Sequence, residues 1–241
     1  MALCLVSCSH RSKHWETLAQ VESYIEERPD SALNVLQGMD KGELSGKEEK
    51  AKHALLLSMA MDKNYIDRTD FDVLQPAIDF YEDHGSATDK LRTYYYQGRI
   101  YQNAGNDAAA MESFVNSLDV GSESNDNLTK ARILVAQSNI YYSLMKWEKV
   151  CDVNIEAANY YNELGRTNNY VYCLLRCIGG YIQSNNFDKA KDLLGKCYQY
   201  TENLPELLIS EIYSYHLLYS VAANNFESVP LMIGEYKNRV S

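Results

Sequence analysis

The sequence repeats an aromatic landmark at a fixed interval. Tyr101, Tyr141 and Tyr181 follow one another at intervals of 40 residues. A period between about 20 and 50 residues is typical of helical-repeat proteins, in which each unit buries its apolar face only against its neighbours. This interval therefore restricts the fold more than any other feature of the sequence.

Helical spacing is clearest in the first of these periods. Tyr94, Gly98 and Tyr101 lie on one face of a predicted helix, and Ala110 and Phe114 lie on one face of the next. The small residues let paired helices approach closely, while the aromatic rings fill the layer between them. The same landmarks recur in weaker form in the later periods, where Ser138 and Ile178 stand in place of the glycine.

This pattern resembles the tetratricopeptide repeat (TPR), a unit of about 34 residues built from two helices and a tight turn. The positions that match it are Tyr94, Gly98, Tyr101, Gly105, Ala110 and Phe114. The second copy departs from the pattern at Asn154, which replaces an aromatic residue. The resemblance implies an all-α fold, with antiparallel helix pairs stacked into a right-handed superhelical solenoid.

We predict a single repeat domain over residues 15–241, preceded by a short tether at 1–14. The segments that carry it are the repeats at 91–124, 131–164 and 171–204, with degenerate helix pairs at 15–38, 47–84 and 207–240. The connecting segments Gly38–Ser45, Lys63–Thr69 and Gly121–Asn127 are too short to separate domains. Pro29 and Asp30 fit a helix start, with aspartate as a cap.

The charge of the chain argues against nucleic-acid binding, and its hydropathy argues against a membrane-spanning helix. The net charge is −10, and the 23 basic residues form no cluster of the kind that neutralises nucleic-acid phosphates. Direct nucleic-acid binding by this segment is therefore not expected. No apolar run reaches the length of about 18 residues that a membrane-spanning helix needs.

The N-terminal residues Leu5-Val6-Ser7-Cys8 resemble the bacterial lipobox. The resemblance implies lipid attachment at Cys8, a membrane anchor, and a location in the bacterial cell envelope. If the segment is not processed, a cytoplasmic location is expected instead. Because only seven residues precede Cys8, we expect the encoded start to lie upstream.

The whole chain also resembles a family of bacterial envelope lipoproteins with such repeats. The shared segments are Pro29–Leu33, Asp62–Tyr65 and Tyr95–Tyr101. Longer relatives continue into a transmembrane helix, a coiled coil and in some cases a DNA-binding tail. A repeat array normally ends in a polar capping helix, and the sequence shows none after its last predicted helix, so a continuation beyond Ser241 is left open.

The first helices of stacked pairs line the concave face of a solenoid. The residues predicted to point into that groove are Arg92, Tyr95, Arg99, Gln102, Asn139, Tyr142, Tyr172 and Gln183. Tyrosine rings and amides suit a peptide-binding surface, and Arg92 and Arg99 could pair with a carboxylate of the partner. The alternative interpretation is a solvated face with incidental tyrosines.

No pattern of catalytic or metal-binding residues stands out. Cys151, Cys173, Cys177 and Cys197 fall within predicted amphipathic helices and are interpreted as core residues rather than as a metal site. The sequence holds no nucleophile elbow, no paired-histidine zinc motif and no phosphate-binding glycine loop. We predict no cofactor, no metal and no enzymatic activity.

The function predicted from the sequence is a non-enzymatic scaffold that binds a protein or peptide ligand on its concave face, as a lipid-anchored envelope protein. Two alternatives remain open. The chain could be the sensory or interaction half of a membrane-tethered transcriptional regulator, by resemblance to the longer relatives. It could also be a lipoprotein that binds a glycan or another small molecule.

Overall fold

All regular structure is helical in the computed structural model, which describes residues 13–227 and 229–240 and contains no β-strand in those ranges. The α-helices of the described residues are α1 (Lys13–Tyr24), α2 (Pro29–Gln37), α3 (Gly46–Lys63), α4 (Gln75–His84), α5 (Ala87–Asn103), α6 (Asp107–Val120), α7 (Asn127–Ser143), α8 (Trp147–Glu163), α9 (Thr167–Gln183), α10 (Phe187–Tyr198), α11 (Glu206–Ala222) and α12 (Val229–Val240). The predicted all-α class is confirmed. None of these helices has both the length and the apolarity that crossing a bilayer requires.

The 40-residue interval is also the period of the helices. The helices α5, α7 and α9 begin at residues 87, 127 and 167, and α6, α8 and α10 begin at 107, 147 and 187. The predicted start of α2 needs a small correction. Pro29 is its first residue and Arg28 holds the cap position, so Asp30 lies in the first turn, where its negative charge still favours the helix N-terminus.

The turn inside each period has one backbone conformation. Gly105, Met145 and Asn185 follow the first helix of their pairs with φ of 75°, 54° and 57°. Glycine adopts this left-handed region freely and asparagine tolerates it, whereas it costs more for methionine. The next amide in each turn donates to the carbonyl oxygen of the landmark tyrosine at 2.8–2.9 Å, namely Asn106 to Tyr101, Lys146 to Tyr141 and Asn186 to Tyr181. This closure is a common way to end a helix.

Contacts divide the chain into two compact units, Met1–Glu123 and Ser124–Ser241. Consecutive helices pack together within each unit. In the first unit α1 also contacts α3, and α3 contacts α5; in the second, α9 contacts α11. The boundary lies in the predicted connection Gly121–Asn127, and the single domain over residues 15–241 stays a prediction.

A close approach of α5 and α6 builds the core of the first unit around Phe114. This ring is fully buried, and a Cβ atom placed on Gly98 would lie 2.5 Å from its Cε1 atom. Only a residue without a side chain leaves room for the ring there. A hydrogen bond also connects the two helices, because the hydroxyl of Ser117 in α6 donates to the carbonyl oxygen of Leu91 in α5.

Four cysteines lie in the core of the second unit. Cys151, Cys173, Cys177 and Cys197 are free thiols and are at most 2% exposed. Burial raises the pKa of Cys173 and of Cys197 to about 12 each, which keeps both thiols protonated and unreactive. The prediction that these residues pack as core is confirmed. The predicted lipid-attachment residue Cys8 lies outside the described residues.

The buried His53 makes the stability of the first unit depend on pH. This α3 side chain is 3% exposed, and its Nε2 atom lies 2.9 Å from the carbonyl oxygen of Leu36 in α2. Burial lowers the pKa of His53 below its ordinary 6.5, and the positive charge of Lys41 lowers it further, although the Leu36 carbonyl opposes them. The unfolded chain therefore binds a proton more readily than the folded one.

We expect the free energy of unfolding to fall as the pH drops through about 6.5, and to be highest above that value. Urea unfolding at about pH 7.5 and pH 5.5 measures the change, followed by Trp15 fluorescence in a Trp147→Phe background. His53→Gln should flatten the dependence, while the control His84→Gln, at an exposed position, should leave it intact. An unchanged slope in His53→Gln would assign the pH dependence to other groups.

Candidate functional site

The two arginines predicted to face a partner are neutralised inside the first unit. Arg92 of α5 forms a 2.7 Å ion pair with Glu22 of α1, which also pairs with Lys52 of α3 at 2.7 Å. Arg99 pairs with Asp62 of α3 at 3.0 Å. These ion pairs tie α1, α3 and α5 together, so both guanidinium groups already have carboxylate partners.

Tyr95 requires a correction. Its side chain is only 6% exposed, and its ring packs against Tyr96 and Phe114 at centroid distances of 4.8 and 6.1 Å. It is a core residue and does not line an open surface, because its helix face is covered by α6. Gln102 is half-buried and accepts a 2.6 Å hydrogen bond from Arg99.

The predicted residues of the second unit are accessible. Tyr142 of α7 is 42% exposed and Tyr172 of α9 is 39% exposed. Asn139 of α7 and Gln183 of α9 are exposed as well. The structure thus separates the eight predicted residues into four that stabilise the first unit and four that remain open to solvent on α7 and α9.

Arg176 of α9, which the sequence analysis missed, contacts two of these side chains, Tyr142 and Asn139. Its guanidinium carbon is 4.3 Å from the ring centroid of Tyr142, a cation–π contact. Its Nη2 atom donates a 3.3 Å hydrogen bond to Oδ1 of Asn139. The signal in the sequence was its spacing, because Tyr172, Arg176 and Gln183 fall on one helix face at steps of four and seven residues.

Tyr215 of α11 extends this surface to a third helix. Gly179, one turn beyond Arg176, allows it to approach, since a Cβ atom at Gly179 would lie 3.1 Å from Cε1 of Tyr215. We call the area formed by Asn139, Tyr142, Tyr172, Arg176, Gln183 and Tyr215 the Arg176 surface.

The hydroxyl group of Tyr215 stays protonated across the physiological pH range. Burial raises the pKa of this residue above 10. The positive charge of Arg176 acts in the opposite direction, and Tyr142, Glu211 and Tyr172 again raise the pKa. Each of these groups is therefore close enough to act on the Tyr215 hydroxyl, which in its protonated form can donate a hydrogen bond.

No salt bridge to Arg176 forms within the described ranges 13–227 and 229–240. Its positive charge is held in place by a ring face and an amide oxygen, neither of which neutralises it. The surface therefore offers fixed hydrogen-bond donors, exposed ring area and one uncompensated cation. These properties suit the binding of a polar or anionic group better than they suit proton transfer.

The pockets of the described residues are less suited to a ligand. In the first unit a pocket of about 310 Å³ is bordered by the ion pairs Arg99–Asp62 and Arg68–Asp70, so these charges are paired, while Nε of Arg68 is buried without a hydrogen-bond partner among the described residues. A wider apolar groove of about 740 Å³ runs between α11 and α12 and includes Leu217 and Ile233. No group of His, Cys, Asp and Glu side chains with the geometry to hold a metal ion occurs among the residues described.

Comparison with known proteins identifies the fold but no family. No protein-family model matches the chain, and no curated protein matches it significantly. The solved structure of BtubC (BKLC) from P. vanneervenii is similar, with a TM-score of 0.65 and 14% sequence identity. The match covers 95% of this chain and 91% of that one. At this identity the likeness concerns the fold alone.

Proposed function

We propose that the chain is a non-enzymatic scaffold that binds a protein or peptide segment through the Arg176 surface. The observation that carries the proposal is the position of Arg176, an arginine that forms no salt bridge with any described residue and that contacts the accessible Tyr142 and Asn139 of α7. Tyrosine and arginine are the residues most enriched at binding hot spots, because both offer a large contact area together with hydrogen bonds.

We propose that the helices form a TPR-like, right-handed solenoid of antiparallel pairs. Three observations support this arrangement: the 40-residue period of the helix bounds, the contacts of α1 with α3 and of α3 with α5, and the contact of α9 with α11. In such a stack the first helices of successive pairs share one face, which is where α7, α9 and α11 carry the Arg176 surface.

The cell envelope is the proposed location, with Cys8 carrying the lipid anchor. The lipobox-like sequence Leu5–Cys8 supports this proposal. Expression of the full-length protein with Cys8→Ala, followed by separation of membrane and soluble fractions, tests it. Release of the variant from the membrane fraction is expected, and retention equal to that of the wild type would argue against an anchor at this residue.

A pull-down from envelope extract tests the binding function. The double substitution Tyr142→Ala/Tyr172→Ala removes the two exposed rings and should leave the fold intact, which circular dichroism verifies. We expect at least one protein retained by the wild type to be lost with the double variant. The matched control is Tyr65→Ala, which removes a 92% exposed tyrosine of the first unit and should retain the same protein.

Equal retention by the wild type and the double variant would place binding elsewhere on the molecule. If the wild type retains no protein, the result would argue against a protein ligand and favour the alternative of a small-molecule ligand. A glycan is disfavoured at Tyr142 itself, because the guanidinium of Arg176 already covers one face of its ring.

A further inference from the structure

Charge compensation distinguishes Arg176 from Arg92 and Arg99, the two predicted groove arginines of the first unit. Arg92 and Arg99 each have a carboxylate within 3.0 Å, contributed by Glu22 of α1 and Asp62 of α3. Arg176 has an aromatic ring and an amide instead. A half-buried charge without a counter-ion is unfavourable in the free protein, and an arriving carboxylate relieves that cost.

The contacts of Arg176 also fix the direction in which it can bind. A guanidinium group has five N–H donors in one plane, and Arg176 uses its Nη2 atom for the hydrogen bond to Asn139. Stacking on Tyr142 holds that plane and leaves the remaining donors for a partner. A planar fork of this kind matches the two oxygens of a carboxylate, which it can bind in bidentate fashion.

We propose that Arg176 determines specificity on this surface, by seating the carboxylate of an aspartate or glutamate side chain in a bound peptide segment. This inference rests on the proposed function and specifies its ligand. The rings of Tyr142 and Tyr172 then provide contact area on either side of the carboxylate, and the hydroxyl of Tyr215 supplies a further donor.

Glu211 limits how acidic that segment can be. It lies on α11, one helical turn before Tyr215, and its negative charge acts on the Tyr215 hydroxyl. A second carboxylate of the ligand on this side would be repelled. Removing the charge with Glu211→Gln should therefore strengthen the binding of acidic peptides, whereas Arg176→Gln should weaken it.

Selection from a random heptapeptide phage library, with the full chain as bait, tests the inference without a known ligand. The wild type should enrich peptides that contain Asp or Glu, and Arg176→Gln should abolish this bias. A peptide selected by the wild type should bind the Arg176→Gln variant about tenfold more weakly than it binds the wild type. This is the size of effect expected for losing one charge-assisted contact. Isothermal titration of the synthetic peptide, and of its Asn/Gln counterpart, measures this loss.

The control variant is Arg166→Gln, at the exposed N-terminal cap of α9. It removes the same charge from the same helix but not from the surface, so it should keep the acidic bias. Peptides that are equally acidic for the wild type and for Arg176→Gln would overturn the role of Arg176. Enriched peptides without Asp or Glu would contradict the proposal that the ligand is a carboxylate, but would still support peptide binding. If the wild type enriches no peptide over bare support, the proposed function fails together with this inference.

Discussion

Phe114→Ala is expected to lower the free energy of unfolding of the first unit by about 3–5 kcal/mol. The ring is fully buried between α5 and α6, next to Gly98 and Tyr95. Its removal loses the burial of a large apolar side chain and leaves a cavity that the close-packed pair fills only partly. Urea unfolding measures the change in a Trp147→Phe background, where Trp15 is the sole tryptophan and reports on the first unit.

The neighbouring substitution Val115→Ala provides the control. Val115 lies on the same helix but is 52% exposed, so its truncation should change stability by no more than about 0.5 kcal/mol. Similar losses for the two variants would show that the packing of Phe114 contributes no more than an exposed side chain of the same helix, because alanine itself favours the helix in both cases. A small loss for Phe114→Ala would indicate that the pair collapses to fill the space.

The repeat could be predicted because it depends on local properties of the sequence. The landmark tyrosines lie in the last turn of the first helix of each pair. Gly105 and Asn185, which follow in their turns, are residue types that favour the left-handed conformation. Met145 occupies the equivalent position without such a preference. Its conformation follows from the packing of α7 and α8, so the sequence signal for this turn was the weakest of the three.

The binding residues were harder to predict because exposure depends on what packs opposite each side chain. The helical pattern placed Arg92 and Arg99 on the correct helix, but their partners Glu22 and Asp62 lie 70 and 37 residues away along the chain. No local sequence pattern predicts those ion pairs. Arg176 was missed for the converse reason, because only the folded unit shows that no described carboxylate forms a salt bridge with it.

Two apparent departures from the repeat compensate for each other. In the first copy Gly98 and Phe114 are in contact and lie 16 positions apart along the chain; the equivalent residues of the second copy, at the same separation, are Ser138 and Asn154. Both of these are fully buried, and Nδ2 of Asn154 donates hydrogen bonds to Oγ of Ser138 and to the carbonyl oxygen of Val150. A polar pair thus fills the space that a ring and a glycine share in the first copy.

Restoring only the ring should therefore be costly. Asn154→Phe is expected to lower the free energy of unfolding of the second unit by about 3 kcal/mol, because the ring meets the Ser138 side chain and the hydrogen bonds are lost. Ser138→Gly in the same molecule opens the space, as Gly98 does for Phe114. We expect it to recover more than about 1 kcal/mol, in spite of the cost of about 1 kcal/mol for glycine in a helix.

The comparison is made in a Trp15→Phe background, where Trp147 reports on the second unit. The matched control combines Asn154→Phe with Ser143→Gly, which introduces glycine at an exposed position of α7 away from the ring and should recover nothing. Because the two core positions touch, their effects should not add. Additive losses would mean that other contacts set the spacing of α7 and α8. The pairs Gly98–Phe114 and Ser138–Asn154 would then correspond in sequence position but not in packing. Recovery would show that the glycine and the ring form a single exchangeable unit of the repeat.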